Sequence, residues 1–130
     1  MDVRRKLAAS LAGVMVLTGL SVATAPVASA STTVGGWVTC LSGNFVEGVY
    51  FDATSGSDGW AHTTYPGNTQ SSQQWSYTLT SGTTYKLDVG CGGTPSNWAT
   101  SLQSVTLSGT GHELICYDVA YEDPYYGSCR

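Results

Sequence analysis

Four cysteines, Cys40, Cys91, Cys116 and Cys129, lie behind an N-terminal export pattern, and that combination constrains the chain more than any other feature. An even cysteine count in a short exported chain reads as two disulfides. Four cysteines allow three pairings, and sequence alone does not choose among them. The pairing expected here is Cys40–Cys91 with Cys116–Cys129. The segment between the last two is short and contains Asp123-Pro124 and Gly127, so it can turn back and pin a tail that would otherwise fray. Zinc is the rival use of cysteine, but no C-x-x-C or H-x-x-x-H spacing occurs, and His62 and His112 are far apart. No metal and no other cofactor is expected.

The export pattern occupies residues 1–30. Arg4, Arg5 and Lys6 form a positive region, Leu7 to Leu20 is an apolar run, and a small-residue stretch ends in Ala28-Ser29-Ala30. That order describes a secretory signal peptide cleaved after Ala30, leaving Ser31–Arg130 as a single domain. An uncleaved anchor is the alternative. The second half of the segment, rich in Ser, Thr and Ala and containing Pro26, makes a poor membrane span. Arg4-Arg5 leaves the twin-arginine route open beside the general secretory one. The product expected is a secreted, extracellular monomer, free of the membrane after cleavage. It keeps only Lys86 and Arg130 against eight acids, a formal charge of −6. Such a surface repels phosphate, which removes the usual electrostatic basis of nucleic-acid binding.

The remainder reads as all-β. Short runs of β-branched and aromatic residues alternate with Gly, Ser, Thr and Asn turns, and no helical period of useful length occurs. Candidate strands are Val34–Leu41, Val46–Ala53, Gly59–Tyr65, Gln73–Leu79, Thr84–Cys91, Gln103–Leu107 and Glu113–Val119. Trp75, Tyr77 and Leu79 share one face of their run, and Tyr85, Leu87, Val89 and Cys91 share one face of theirs. Ser81-Gly82 lies between the two runs, so they read as a hairpin with its apolar side inward. Core candidates are Phe51, Trp75, Tyr77, Tyr85 and Trp37. About seven strands in a chain this short fit a disulfide-stapled antiparallel β-sandwich, with a small β-barrel as the alternative. An immunoglobulin domain is excluded, because Val89 stands where that family places its tyrosine, two residues before the second cysteine.

The strings VEGVYFDATSGSDGWA (46–61), YKLDVGCGGTPSNWA (85–99) and CYD (116–118), together with the last cysteine, resemble a functionally uncharacterised family of small secreted actinobacterial proteins and domains. The resemblance covers nearly all of Cys40–Cys129. It implies an exported bacterial module and carries no activity or site residue with it.

Function must therefore be sought in the side chains. All fourteen Trp, Tyr and Phe residues lie after residue 30. Trp60, Tyr65, Trp98 and Tyr125 sit in or beside turns, where a β-scaffold commonly recognises ligands. Exposed rings stack on the apolar faces of sugars much as they do on bases. The competing role for these rings is to cover the ends of a small core. Gly90–Pro95 lacks the lysine and helix of a phosphate loop. Asp52–Gly59 departs from the calcium-loop pattern. No G-x-S-x-G occurs, and His62 and His112 have no evident nucleophile. The expectation is a non-catalytic extracellular binding module for carbohydrate or cell-wall glycan, with Trp60, Tyr65, Trp98 and Tyr125 as ligand contacts. The alternatives are a protein-binding module, such as an inhibitor or secreted effector, and a small hydrolase using His62 or His112.

Overall fold

A computed structural model describes residues 31–64, 70–119 and 123–130. The signal segment 1–30, Tyr65 with the Pro66-Gly67-Asn68 turn, and Tyr121 and Glu122 of the tail lie outside the described residues. The described residues form no helix, and so none long and apolar enough to cross a membrane. They form strands β1 (Thr32–Cys40), β2 (Val46–Ala53), β3 (Gly59–Trp60), β4 (His62–Thr63), β5 (Ser72–Leu79), β6 (Thr84–Thr94), β7 (Asn97–Ser104), β8 (Leu107–Ser108), β9 (His112–Cys116) and β10 (Ser128–Cys129).

Alternation decides which side chains turn inward. Val34, Val38 and Cys40 are buried on β1, Trp75 and Leu79 on β5, and Tyr85, Leu87, Val89 and Cys91 on β6. Phe51 on β2 lies at the centre. Its ring stacks on Tyr77 at 4.1 Å and on Tyr85 at 4.6 Å, with Trp75 tilted against it at 6.1 Å. Such ring pairs add about 0.5–1.5 kcal/mol each beyond area burial. Trp37 is an exception to the expected core. The buried positions on β1 are 34, 36, 38 and 40, so Trp37 falls on the outer face and is 39% exposed.

The strands make one sheet in the order β3-β2-β6-β7-β10-β9-β1-β5-β4, with β8 beside β6. Its two edge strands, β3 and β4, are consecutive in the chain and separated only by Ala61. The Ala61 N–H donates to the Val49 carbonyl on β2, and the Thr64 N–H donates to the Gln74 carbonyl on β5. One short segment therefore joins the two ends of the sheet, and the result is a nearly closed barrel rather than two separate sheets. Nor is the pairing antiparallel throughout, because β1 runs parallel to β9 and β10 parallel to β7.

The expected hairpin between Trp75–Leu79 and Tyr85–Cys91 does not form. β5 pairs with β1 and β4, whereas β6 pairs with β2, β7 and β8. The inward faces were assigned correctly, but they meet across the core, with Trp75 against Tyr85 at 5.9 Å. Gly82, at φ 75°, lets the connection cross from one wall to the other. The real hairpin is β6–β7. Both strands run further than the turn signals suggested, and Thr94 pairs with Asn97 around Pro95-Ser96.

Both disulfides form in the expected pairing, with Cα–Cα distances of 5.9 Å for Cys40–Cys91 and 4.0 Å for Cys116–Cys129. All four cysteines are buried. Cys116 lies beside Cys40 in the β1–β9 register and opposite Cys129 in the β9–β10 pair, so the bridges gather at one level of the barrel. For sequence separations of 51 and 13 residues, loop closure predicts about 4 and about 3 kcal/mol respectively.

Tyr85 has no exposed surface, and its hydroxyl donates to the Gly109 carbonyl at 2.6 Å. Burial pushes its pKa up to about 12 from the ordinary 10.0. A pKa raised by folding means that the folded state favours the neutral phenol. That contribution is complete below pH 10 and is lost as pH rises through 12. Urea unfolding should accordingly show stability falling by about 2–3 kcal/mol between pH 9.5 and 12. Tyr85→Phe should flatten that fall while costing about 1 kcal/mol at neutral pH. An unchanged alkaline slope in the variant would assign the fall to another group.

Candidate aromatic binding face

The outer face of β2, β3, β6 and β7 carries an unusual arrangement of rings on glycines. Gly48 on β2 pairs with Gly90 on β6. A Cβ at Gly90 would fall onto Cγ, Cδ2 and Cε2 of Trp98 at once, which places the indole flat over the glycine. Glycine inside a strand weakens it unless something must approach closely, and here the Trp98 ring does so. Trp98 Nε1 is buried and makes no hydrogen bond among the described residues. Packing alone therefore fixes the ring.

Trp98 reaches this position through its hairpin. Gly92 and Gly93 take φ of 72° and 88°, a backbone region other residues rarely adopt. The Gly92 N–H donates to the Phe45 carbonyl, which ties the base of the hairpin to the loop before β2. A register shift between Val46 and Gly48 lets both Val46 and Val49 point inward. Bulges of this kind often re-aim side chains beside a site.

Trp60 stands beside Trp98. The two rings are 5.7 Å apart at 81°, and since Trp98 lies flat, Trp60 is upright with Cζ3 toward Gly48. It is 63% exposed. Tyr50, its register partner on β2, meets it edge-on at 5.2 Å and 86°. Two hollows meet at Trp60 and Pro95. One, about 340 Å³, includes Ser96, Asn97 and Trp98; the other, about 240 Å³, includes Glu47, Gly48 and Thr63. The first is at the low end for small-ligand sites and the second falls below it. Asp88 lies between Tyr50 and Gln103 in register and accepts a hydrogen bond from Gln103 Nε2 at 3.1 Å.

Of the four expected ligand contacts, the structure brings together Trp60 and Trp98. Tyr65 lies outside the described residues. Tyr125 is elsewhere: its ring packs against Tyr117 at 5.4 Å, and the Arg130 guanidinium sits 4.4 Å above it. Tyr50 and the glycine floor were missed, although two signals existed. Tyr50 alternates with inward Val49 and Phe51, and Gly48 and Gly90 interrupt strand patterns.

Three of the other candidate side chains, His112, Asp58 and Asp118, hold backbone or hydroxyl groups. His112 Nε2 donates to the Ser108 carbonyl at 2.6 Å, and His62 is exposed on β4. Asp58 accepts the Ala53 N–H and closes its turn. Asp118 lies near the sulfurs of Cys40 and Cys91, but these sulfurs are bonded to each other, and the carboxylate holds both the N–H and the hydroxyl of Ser42. No family model, curated protein or solved structure matches the chain.

If the glycine floor holds Trp98, Gly90→Ala should destabilise the fold by about 1–3 kcal/mol through overpacking. It should also weaken the near-ultraviolet circular dichroism of the Trp60–Trp98 pair. An unaltered spectrum would mean that the ring does not rest on Gly90.

Proposed function

We propose that the protein is a secreted, non-catalytic extracellular module that binds carbohydrate or cell-wall glycan. The observation that carries this reading is the Trp60 indole, standing 63% exposed against a second indole bedded on the sheet. Large apolar rings held open to water mark recognition surfaces. Their faces suit the C–H faces of sugars, and Glu47, Ser96 and Asn97 beside them offer groups for hydroxyls. Export is part of the proposal. Two buried disulfides favour an oxidising compartment, and the signal pattern in residues 1–30 supplies the route.

A second reading, protein binding, rests on the loop between β1 and β2. Leu41 and Phe45 are each 47% exposed there. The loop is held by the Leu41 N–H on the Cys116 carbonyl, by Asp118 on Ser42, and by Phe45 on Gly92. A rigid loop bearing two apolar side chains is preorganised for a partner.

Oxidised Ser31–Arg130 should be retained on at least one of cellulose, chitin, xylan and peptidoglycan. Heat-unfolded protein should not be retained, and Trp60→Ala should release most of the bound protein. Retention by none of the four, with no binding of their soluble oligosaccharides either, would transfer the case to the loop of Leu41 and Phe45.

A further inference from the structure

We infer, resting on the glycan reading above, that the ligand is a single soluble chain of uncharged sugars gripped in an angled corner, not the flat face of a crystalline polymer. Ring orientation carries the argument. A crystalline surface is planar and needs coplanar rings to meet it. Here Trp60 is turned 81° from Trp98, and Tyr50 86° from Trp60. An upright Trp60 keeps any flat surface from reaching Trp98. One sugar ring, by contrast, can lie on Trp98 with its edge against Trp60.

The hollows extend the corner into a short track. They share Trp60 and Pro95, so a chain resting on Trp98 can continue past Trp60 toward Glu47 and Thr63. That provides two adjoining sugar positions with different chemistry. The first is aromatic, with Ser96 and Asn97 at its rim. The second is bordered by the Glu47 carboxylate, an acceptor for sugar hydroxyls.

Charge excludes acidic polymers. The only cations after residue 30 are Lys86 and Arg130. Arg130 lies over Tyr125, and Lys86 faces Asp52 in register. Glu47 borders the track, and Asp88 is opposite Tyr50. Uronate or phosphate chains would meet these carboxylates, and neither Lys86 nor Arg130 lines either hollow.

Calorimetric titration with cellohexaose, xylohexaose and N-acetylchitohexaose, together with polygalacturonate and sedimentation on crystalline cellulose and chitin, tests the inference. The result expected is saturable binding of at least one hexaose, weakened about tenfold or more by Trp60→Ala, with no binding of polygalacturonate. Because the Trp60 ring lies outside the core, the variant should still unfold cooperatively, with its midpoint lowered only by the loss of the Tyr50 and Trp98 ring contacts. Binding to crystalline powder without binding to any hexaose would overturn the inference and leave the glycan reading standing. Preference for polygalacturonate would overturn the assignment to uncharged sugars. Binding to none of these would remove both readings.

Discussion

The Cys40–Cys91 bridge is the constraint on which the rest of this structure depends. It ties β1 to β6, two strands that are not neighbours in the sheet and therefore share no ladder of hydrogen bonds. A domain this short buries only a modest fraction of its surface, so its core leaves little margin over chain entropy. A covalent link between opposite walls shrinks the unfolded ensemble where the sheet cannot help. Cys116–Cys129 acts more locally. It joins strands already paired, fixing the last strand against β9 and letting its other edge meet β7.

The aromatic face follows from the same link. Cys91 anchors β6 one residue before Gly92, and the two positive-φ glycines then launch the hairpin that returns as Trp98. The residue before Cys91 is Gly90, the floor beneath that indole. Trp60 arrives from the other direction, on the segment whose two ends close the barrel onto β2 and β5. The rings thus stand where the closing segment meets the disulfide-anchored hairpin. That position explains how a large apolar side chain stays upright in water on so small a scaffold.

Much of this architecture was legible in the sequence, and the limits have physical causes. The inward faces of β5 and β6 followed from alternation, because period-two burial is local. Partner choice is not local. β5 pairs with β1, distant in sequence, and the short Ser81-Gly82 connection misleadingly suggested a hairpin. Trp37 was misplaced because Gly35 and Gly36 precede it and provide no polar alternation to set its face. The parallel β1–β9 and β7–β10 pairs left no local mark. At the site, Trp60 and Trp98 were singled out for lying near turns. What relates them is a pair of glycines on two strands, visible only once β2 and β6 are in register. Tyr125 shares the turn signal but is engaged with Tyr117 and Arg130.

The most direct test of this account is urea unfolding of Cys40→Ala/Cys91→Ala beside the wild type, with near-ultraviolet circular dichroism of the tryptophans recorded on the same samples. The account predicts a loss of about 4 kcal/mol and collapse of the Trp60–Trp98 signal in the variant. A variant that keeps the wild-type midpoint and spectrum would contradict it, showing that the sheet closes and presents its rings without the bridge across its core.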